Sequence, residues 1–125
     1  MPDLPETASR AWEEREGPIV LTTVDPDGAP NAIYATCVKK FSEDKLVVAD
    51  NYFQKTRANI LSGSRASILY IDKNSRAFQV KGTLSYEKEG EIFDDMKRWL
   101  DEKMPGLAAA VLHVEEVYSG ADKLL

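Results

Sequence analysis

One cysteine and one histidine in 125 residues leave this chain without the material for two kinds of structure. Cys37 has no partner for an intrachain disulfide, and Cys37 with His113 falls short of a zinc-type ligand set, so no metal is expected. Long apolar runs are missing too. None approaches the roughly 18 residues of a membrane span, and the opening MPDLPETASR has neither the basic nor the apolar region of a secretory signal. A cytoplasmic, soluble protein with no membrane partner is expected. What remains is ordinary: 43% hydrophobic and 30% charged residues suit one globular domain over 1–125, and exclude collagen, coiled coil and disorder.

The formal charge of −5 is unevenly spread. Between Cys37 and Lys81 nine basic residues face four acidic ones, a balance of +5 inside a chain that is otherwise −10. Nucleic-acid binding needs a sustained positive surface and is not expected. A single small phosphate-bearing ligand fits a basic middle better, although lysines on strand edges and turns also serve only to stay solvated and to discourage aggregation.

Thr7 to Arg15 is compatible with a short helix, with Thr7 as a possible N-cap, Trp12 as its packing residue and Gly17-Pro18 as its stop. Ile19–Val24, the Asp25-Pro26-Asp27-Gly28 turn and Asn31–Val38 predict a hairpin. KLVVA at 45–49 is apolar almost without a break and is expected to be covered on both faces or to line a pocket. Ala66–Asp72 and Ala77–Tyr86 predict a second hairpin, in which Phe78, Val80, Leu84 and Tyr86 alternate and Gly82 marks a bulge. Glu89–Met104 is amphipathic and is expected to cover an open end of the sheet. Ala108–Tyr118 reads as a last strand, although its AAAVL start suits a helix equally. The sum is a mainly β fold: a six-stranded antiparallel barrel with short flanking helices, and with no Gly-x-Gly-x-x-Gly loop of a dinucleotide fold.

The stretch LVVADNYFQKTRANIL, 46–61, passes from strand to helix and ends near Gly63, which suits a helix C-terminus. A helix start carries free N–H groups and partial positive charge, so Lys55 and Thr56, with Asn51 and Gln54 beside them, form a candidate anion site. From the residues alone, Asn51 serves equally as a turn residue and Lys55 as a solvated one. His113 and Cys37 read as structural, Trp12 and Trp99 as core or interface, and the acids Asp94, Asp95, Asp101 and Glu102 as a solvated helix face.

The ordered set of Asp25-Pro26-Asp27-Gly28-Ala29-Pro30, the KLVVA strand, Lys55-Thr56-x-x-Asn59-Ile60, Ser64-Arg65-Ala66-Ser67-Ile68 and Val80-Lys81-Gly82-Thr83 resembles the FMN-binding split barrels related to pyridoxamine 5′-phosphate oxidase, in particular their short FMN-binding members, over roughly residues 8–118. The resemblance implies an FMN site: Lys55 and Thr56 on the phosphate, and Asn51 and Gln54 near the phosphate and ribityl chain. It places Ile33, Tyr34, Ala35 and Thr36 along the ring, with Val48, Ala49 and Asp50 beside it. It implies a homodimer with flavin at the interface, and Asp122-Lys123-Leu124-Leu125 is then either a lid over the partner's flavin or a frayed end.

The family's usual basic residue near the start of the second strand is absent, which points away from pyridoxamine phosphate oxidation. Electron transfer with a redox partner, or NAD(P)H-linked reduction of a small substrate, is expected, with no catalytic side chain assigned. The alternatives are a non-enzymatic module that stores or senses FMN or haem, and a pyridoxamine 5′-phosphate oxidase-like or deazaflavin-dependent oxidoreductase.

Overall fold

The computed structural model describes residues 2–125. Eight strands form one antiparallel sheet: β1 (Ile19–Val24), β2 (Pro30–Ala35), β3 (Val38–Ser42), β4 (Lys45–Asp50), β5 (Arg65–Ile71), β6 (Ala77–Glu87), β7 (Ala108–Ser119) and β8 (Asp122–Lys123). Three short helices accompany them, α1 (Glu6–Glu13), α2 (Lys55–Leu61) and α3 (Glu91–Trp99). The spatial order is β2-β1-β5-β6-β7-β4-β3, with β8 added to β7, and the sheet curls into a split barrel.

The expected barrel is present with eight strands where six were read, and the difference has a local cause. Asn31–Val38, apparently one strand, is two. Up to Ala35 it pairs with β1, and from Val38 it pairs with β4. The chain thus crosses at Thr36-Cys37 from one edge of the sheet to the other, where Cys37 O accepts from Ala49 N at 2.9 Å. The eighth strand is the tail. Asp122–Lys123 turn back on β7, and Leu124 and Leu125 exchange backbone hydrogen bonds with Val117. Leu125 packs on the chain's own core, so the tail is neither frayed nor extended.

Alternation decides which side chains fill the barrel. Ile19 and Leu21 of β1, Ile68 and Tyr70 of β5, Phe78 and Val80 of β6, and Leu46 and Val48 of β4 all point inward and are buried. On β7, Val114 and Val117 are both fully buried although three residues apart. The register shift opposite Lys81-Gly82 leaves an extra β7 residue, so the inward phase resets. Gly82 is required there. A Cβ on it would lie 1.8 Å from the His113 carbonyl oxygen.

The helices close what the sheet leaves open. Leu4, Ala8, Ala11 and Trp12 bury one face of α1 against the barrel, where Trp12 meets Tyr70 edge-on at 5.1 Å and Tyr70 donates to Ala8 O at 2.7 Å. Pro5 stands at the N-cap and Thr7 lies inside the helix, because Pro can begin a helix but cannot continue one. α3 is shorter than its amphipathic pattern, and it covers an outer sheet face instead of an open end. Ile92, Met96 and Leu100 pack on Val47, Ala49, Ala109 and Val111. KLVVA is therefore apolar on both faces because Leu46 and Val48 face the barrel while Val47 and Ala49 face α3.

Candidate functional site

Where β2 leaves one sheet edge and the β4–α2 connection passes the other, a groove of about 480 Å³ opens. Asn31, Gln54, Lys55 and Thr56 gather at the start of α2, where Asn31 and Thr56 are bonded; Thr36 and Asn51 also line the groove, and Ile33, Ala35, Cys37, Ala49, Phe53 and Met104 supply apolar or weakly polar surface. Tyr34 and Tyr52, both largely exposed, stand at its rim. Lys55 is the one cation among the described lining residues, which contain no carboxylate, and it makes no salt bridge among them.

Thr56 is almost fully buried at the start of α2, and its Oγ1 accepts from Asn31 Nδ2 at 2.9 Å. A hydroxyl that accepts one bond still has its proton to give, so Thr56 retains a donor for an anion. α2 is only seven residues long and no side chain caps it. The positive and donor character of this end therefore rests on Lys55, Thr56 and Asn31 more than on a helix dipole.

Of the eleven residues assigned from sequence, the fold gathers Ile33, Tyr34, Ala35, Thr36, Ala49, Asn51, Gln54, Lys55 and Thr56 around this one groove. Val48 and Asp50 do not line it, because alternation along β4 turns both side chains inward. Val48 is core. Asp50 is fully buried in an ion pair: Arg57 donates through Nε to Oδ2 at 2.7 Å and through Nη2 to Oδ1 at 3.0 Å. Tyr86 Oη donates to Oδ2 at 2.5 Å and Phe53 N–H to Oδ1 at 3.0 Å. Burial opposes ionisation of Asp50, but the bonds from Arg57, Tyr86 and Phe53 outweigh it and hold the carboxyl below its ordinary range. Burial and the same carboxylate push Tyr86 up.

Asn51 lines the groove with its side chain committed elsewhere: Oδ1 accepts from Gly106 N at 2.9 Å and ties the loop after α3 to the end of β4. That tie brings in Met104, a groove residue with no local signal in sequence. Asn31 was equally hidden, although its place opposite Thr23 at the turn end of the β1–β2 hairpin is a usable cue. His113 lies outside the groove lining, on β7, with Nε2 2.9 Å from Ser85 Oγ.

A curled antiparallel half-barrel with a groove at its seam defines a split barrel. A match over residues 5–120 assigns the chain to a family: it belongs to the pyridoxamine 5′-phosphate oxidase family. An uncharacterized protein of Methanocaldococcus jannaschii is 28% identical over 106 residues, covering 81% of this chain and 71% of that one. The pyridoxine/pyridoxamine 5′-phosphate oxidase of Brucella canis is 34% identical over 74 residues, 58% of this chain but 36% of the oxidase. Among solved structures, HupZ of Group A Streptococcus superposes with a TM-score of 0.80 at 21% identity, covering 93% of each chain. An FMN-binding protein of Syntrophomonas wolfei gives 0.78 at 22%, covering 91% of this chain and 84% of that one. HutZ, the haem storage protein of Vibrio cholerae, gives 0.69 at 18%, covering 94% and 95%. At these identities the structures share the fold.

Proposed function

We propose that the groove binds FMN and that the protein works as a flavoprotein, by electron transfer or by NAD(P)H-linked reduction of a small substrate. The observation that carries this reading is the make-up of the groove. One free cation beside hydroxyl and amide donors, with apolar surface in the same groove, suits a ligand with an anionic head and a flat apolar body. The volume falls in the range of about 300–1,000 Å³ typical of such clefts. Because β2 is an edge strand, one side of its backbone is free of ladder partners, so N–H and C=O groups are available to the polar rim of a flavin. Lys55 and Thr56 would hold the phosphate, and Ile33 to Thr36 with Ala49 would support the ring. Bound FMN supplies hydride and single-electron transfer; the chain supplies anchoring and orientation.

The alternatives fit less well. The groove contains no histidine for a haem iron, and its single cation is a poor match for the several acidic groups of a deazaflavin tail. The match to the Brucella oxidase leaves most of that enzyme uncovered. A homodimer completes the reading. Tyr34, Val20 and Leu69 sit side by side on β2, β1 and β5, with Tyr34 and Leu69 exposed, and this row adjoins the groove through Tyr34. A second copy would cover it and complete one wall of the site.

The test is the visible spectrum of purified protein before and after addition of FMN and desalting. Retained flavin bands are expected. A colourless protein that releases all added FMN would mean that the groove serves another ligand.

A further inference from the structure

Asp50, Arg57 and Tyr86 do not line the groove, yet Asp50 is the most heavily bonded buried charge in the described structure. Both carboxylate oxygens of Asp50 accept two bonds each, from β4's own turn (Phe53), from α2 (Arg57) and from β6 (Tyr86). Arg57 Nε also lies 3.1 Å from Tyr86 Oη, closing the triangle.

The placement matters because α2 has less than two full turns, too little to hold a helix by its own hydrogen bonds. Side-chain struts hold it instead, and they fall into two sets. Asn31 to Thr56 and Asn59 to Thr23 (3.0 Å) fasten it to β2 and β1. Arg57 to Asp50 and Tyr86 fastens it to β4 and β6, the other flank of the barrel. Arg57 directly follows Lys55-Thr56, so whatever fixes Arg57 fixes the two residues that face the groove. Buried ion pairs are weak contributors to net stability. A bidentate pair nevertheless defines an orientation that a point charge does not.

We propose that Asp50, Arg57 and Tyr86 are positioning residues for the anion end of the groove, setting α2 so that Lys55 Nζ and Thr56 Oγ1 converge on one phosphate. The proposal rests on the FMN reading and adds to it a division of labour: recognition by residues that line the groove, alignment by a triad behind them.

The test compares FMN with riboflavin, which differ only in the phosphate, by flavin-fluorescence titration of the full-length protein, Arg57→Lys and Tyr86→Phe, with thermal melts alongside. Wild type is expected to prefer FMN by roughly tenfold or more, the value of a charge-assisted phosphate contact. In Arg57→Lys that preference is expected to shrink by about fivefold or more as the bidentate geometry is lost. Tyr86→Phe is expected to shrink it less, while riboflavin affinity stays within about twofold in both variants. A merely structural role would lower both affinities together or move only the melting temperature, and either result overturns the proposal. Wild type that binds both flavins equally overturns the phosphate anchor, and this inference with it. Should Arg57→Lys fail to fold, Tyr86→Phe decides alone, since it removes a single oxygen.

Discussion

Asn31 and Thr56 meet across the polar end of the groove: the amide of a β2 residue donates at 2.9 Å to the hydroxyl of the second residue of α2. That one bond links the sheet edge to the helix and leaves the threonine proton free to donate. The polar groups at this end of the groove consequently come from two segments, β2 and the start of α2.

Removing the groove-facing cation and hydroxyl is expected to weaken FMN binding and spare the fold. In Lys55→Ala/Thr56→Ala, affinity should drop by about tenfold for each charge-assisted bond lost. Titration by flavin fluorescence, with circular dichroism to show the barrel intact, checks it. A folded double variant with unchanged affinity would sink the assignment of the phosphate end.

Gly82→Ala is expected to be among the most damaging single-methyl additions in the chain. Its Cβ would collide with the His113 carbonyl at 1.8 Å, and the obstacle is backbone, which has no rotamer to escape into. Overpacking that forces backbone shifts costs about 1–3 kcal/mol and sometimes more, and here the upper end is expected. Urea unfolding of the two proteins measures the difference; a loss under about 0.5 kcal/mol, the level of an ordinary surface change, would mean the bulge moves freely.

Acid should weaken the fold through its buried carboxylates. Burial raises Asp72 as it raises Asp50, but the N–H groups of Arg76 and Asn74 and the Arg76 side chain outweigh it, so both acids titrate below their ordinary range. A depressed folded-state pKa contributes stability that is complete above the unfolded value of about 3.9. It is lost as pH falls through the lower folded values. Unfolding free energy is therefore expected to decline below about pH 4 and to decline less steeply in Asp72→Asn. A profile identical to wild type in that variant would remove Asp72 from the account.

The exposed row on β2, β1 and β5 predicts association. Wild type is expected to sediment as a dimer and Leu69→Glu as a monomer, since the new carboxylate would have to be buried without a partner at a cost of about several kcal/mol. Light scattering on the eluting peaks distinguishes the two. A monomeric wild type would leave the row as plain exposed surface.

How much of this was legible in the residues differs from element to element. The β1–β2 and β5–β6 hairpins follow from alternation between turn residues, and the Gly82 bulge from a glycine interrupting that alternation, because period-two burial is a local property of a pleated strand. The break at Thr36-Cys37 was not legible. Nothing in Asn31–Val38 says that its two halves pair with different strands, since the choice depends on how far the sheet curls. Thr7 as a cap failed for a similar reason, a single position deciding between two starts of the same helix.

At the site, Lys55 and Thr56 were legible as a cation and a hydroxyl at a strand-to-helix passage, and Ile33 to Thr36 as part of an apolar strand. The resemblance puts Asp50 beside the ring, and its side chain faces Arg57 and Tyr86. An aspartate at a strand end looks the same in sequence whether it points to solvent or inward, and its partners lie 7 and 36 residues away.

The sequence by itself therefore determined the strand periods, the apolar double face of KLVVA, the absence of disulfide pairing and the charge of the anion end, all properties of near neighbours along the chain. Only the tertiary structure decided which strand edges meet at the seam, which way Asp50 turns, and that Asn31, Thr56 and Met104 share one groove. Those outcomes arise from closing a curved sheet on itself, where contacts form between residues that no local pattern relates.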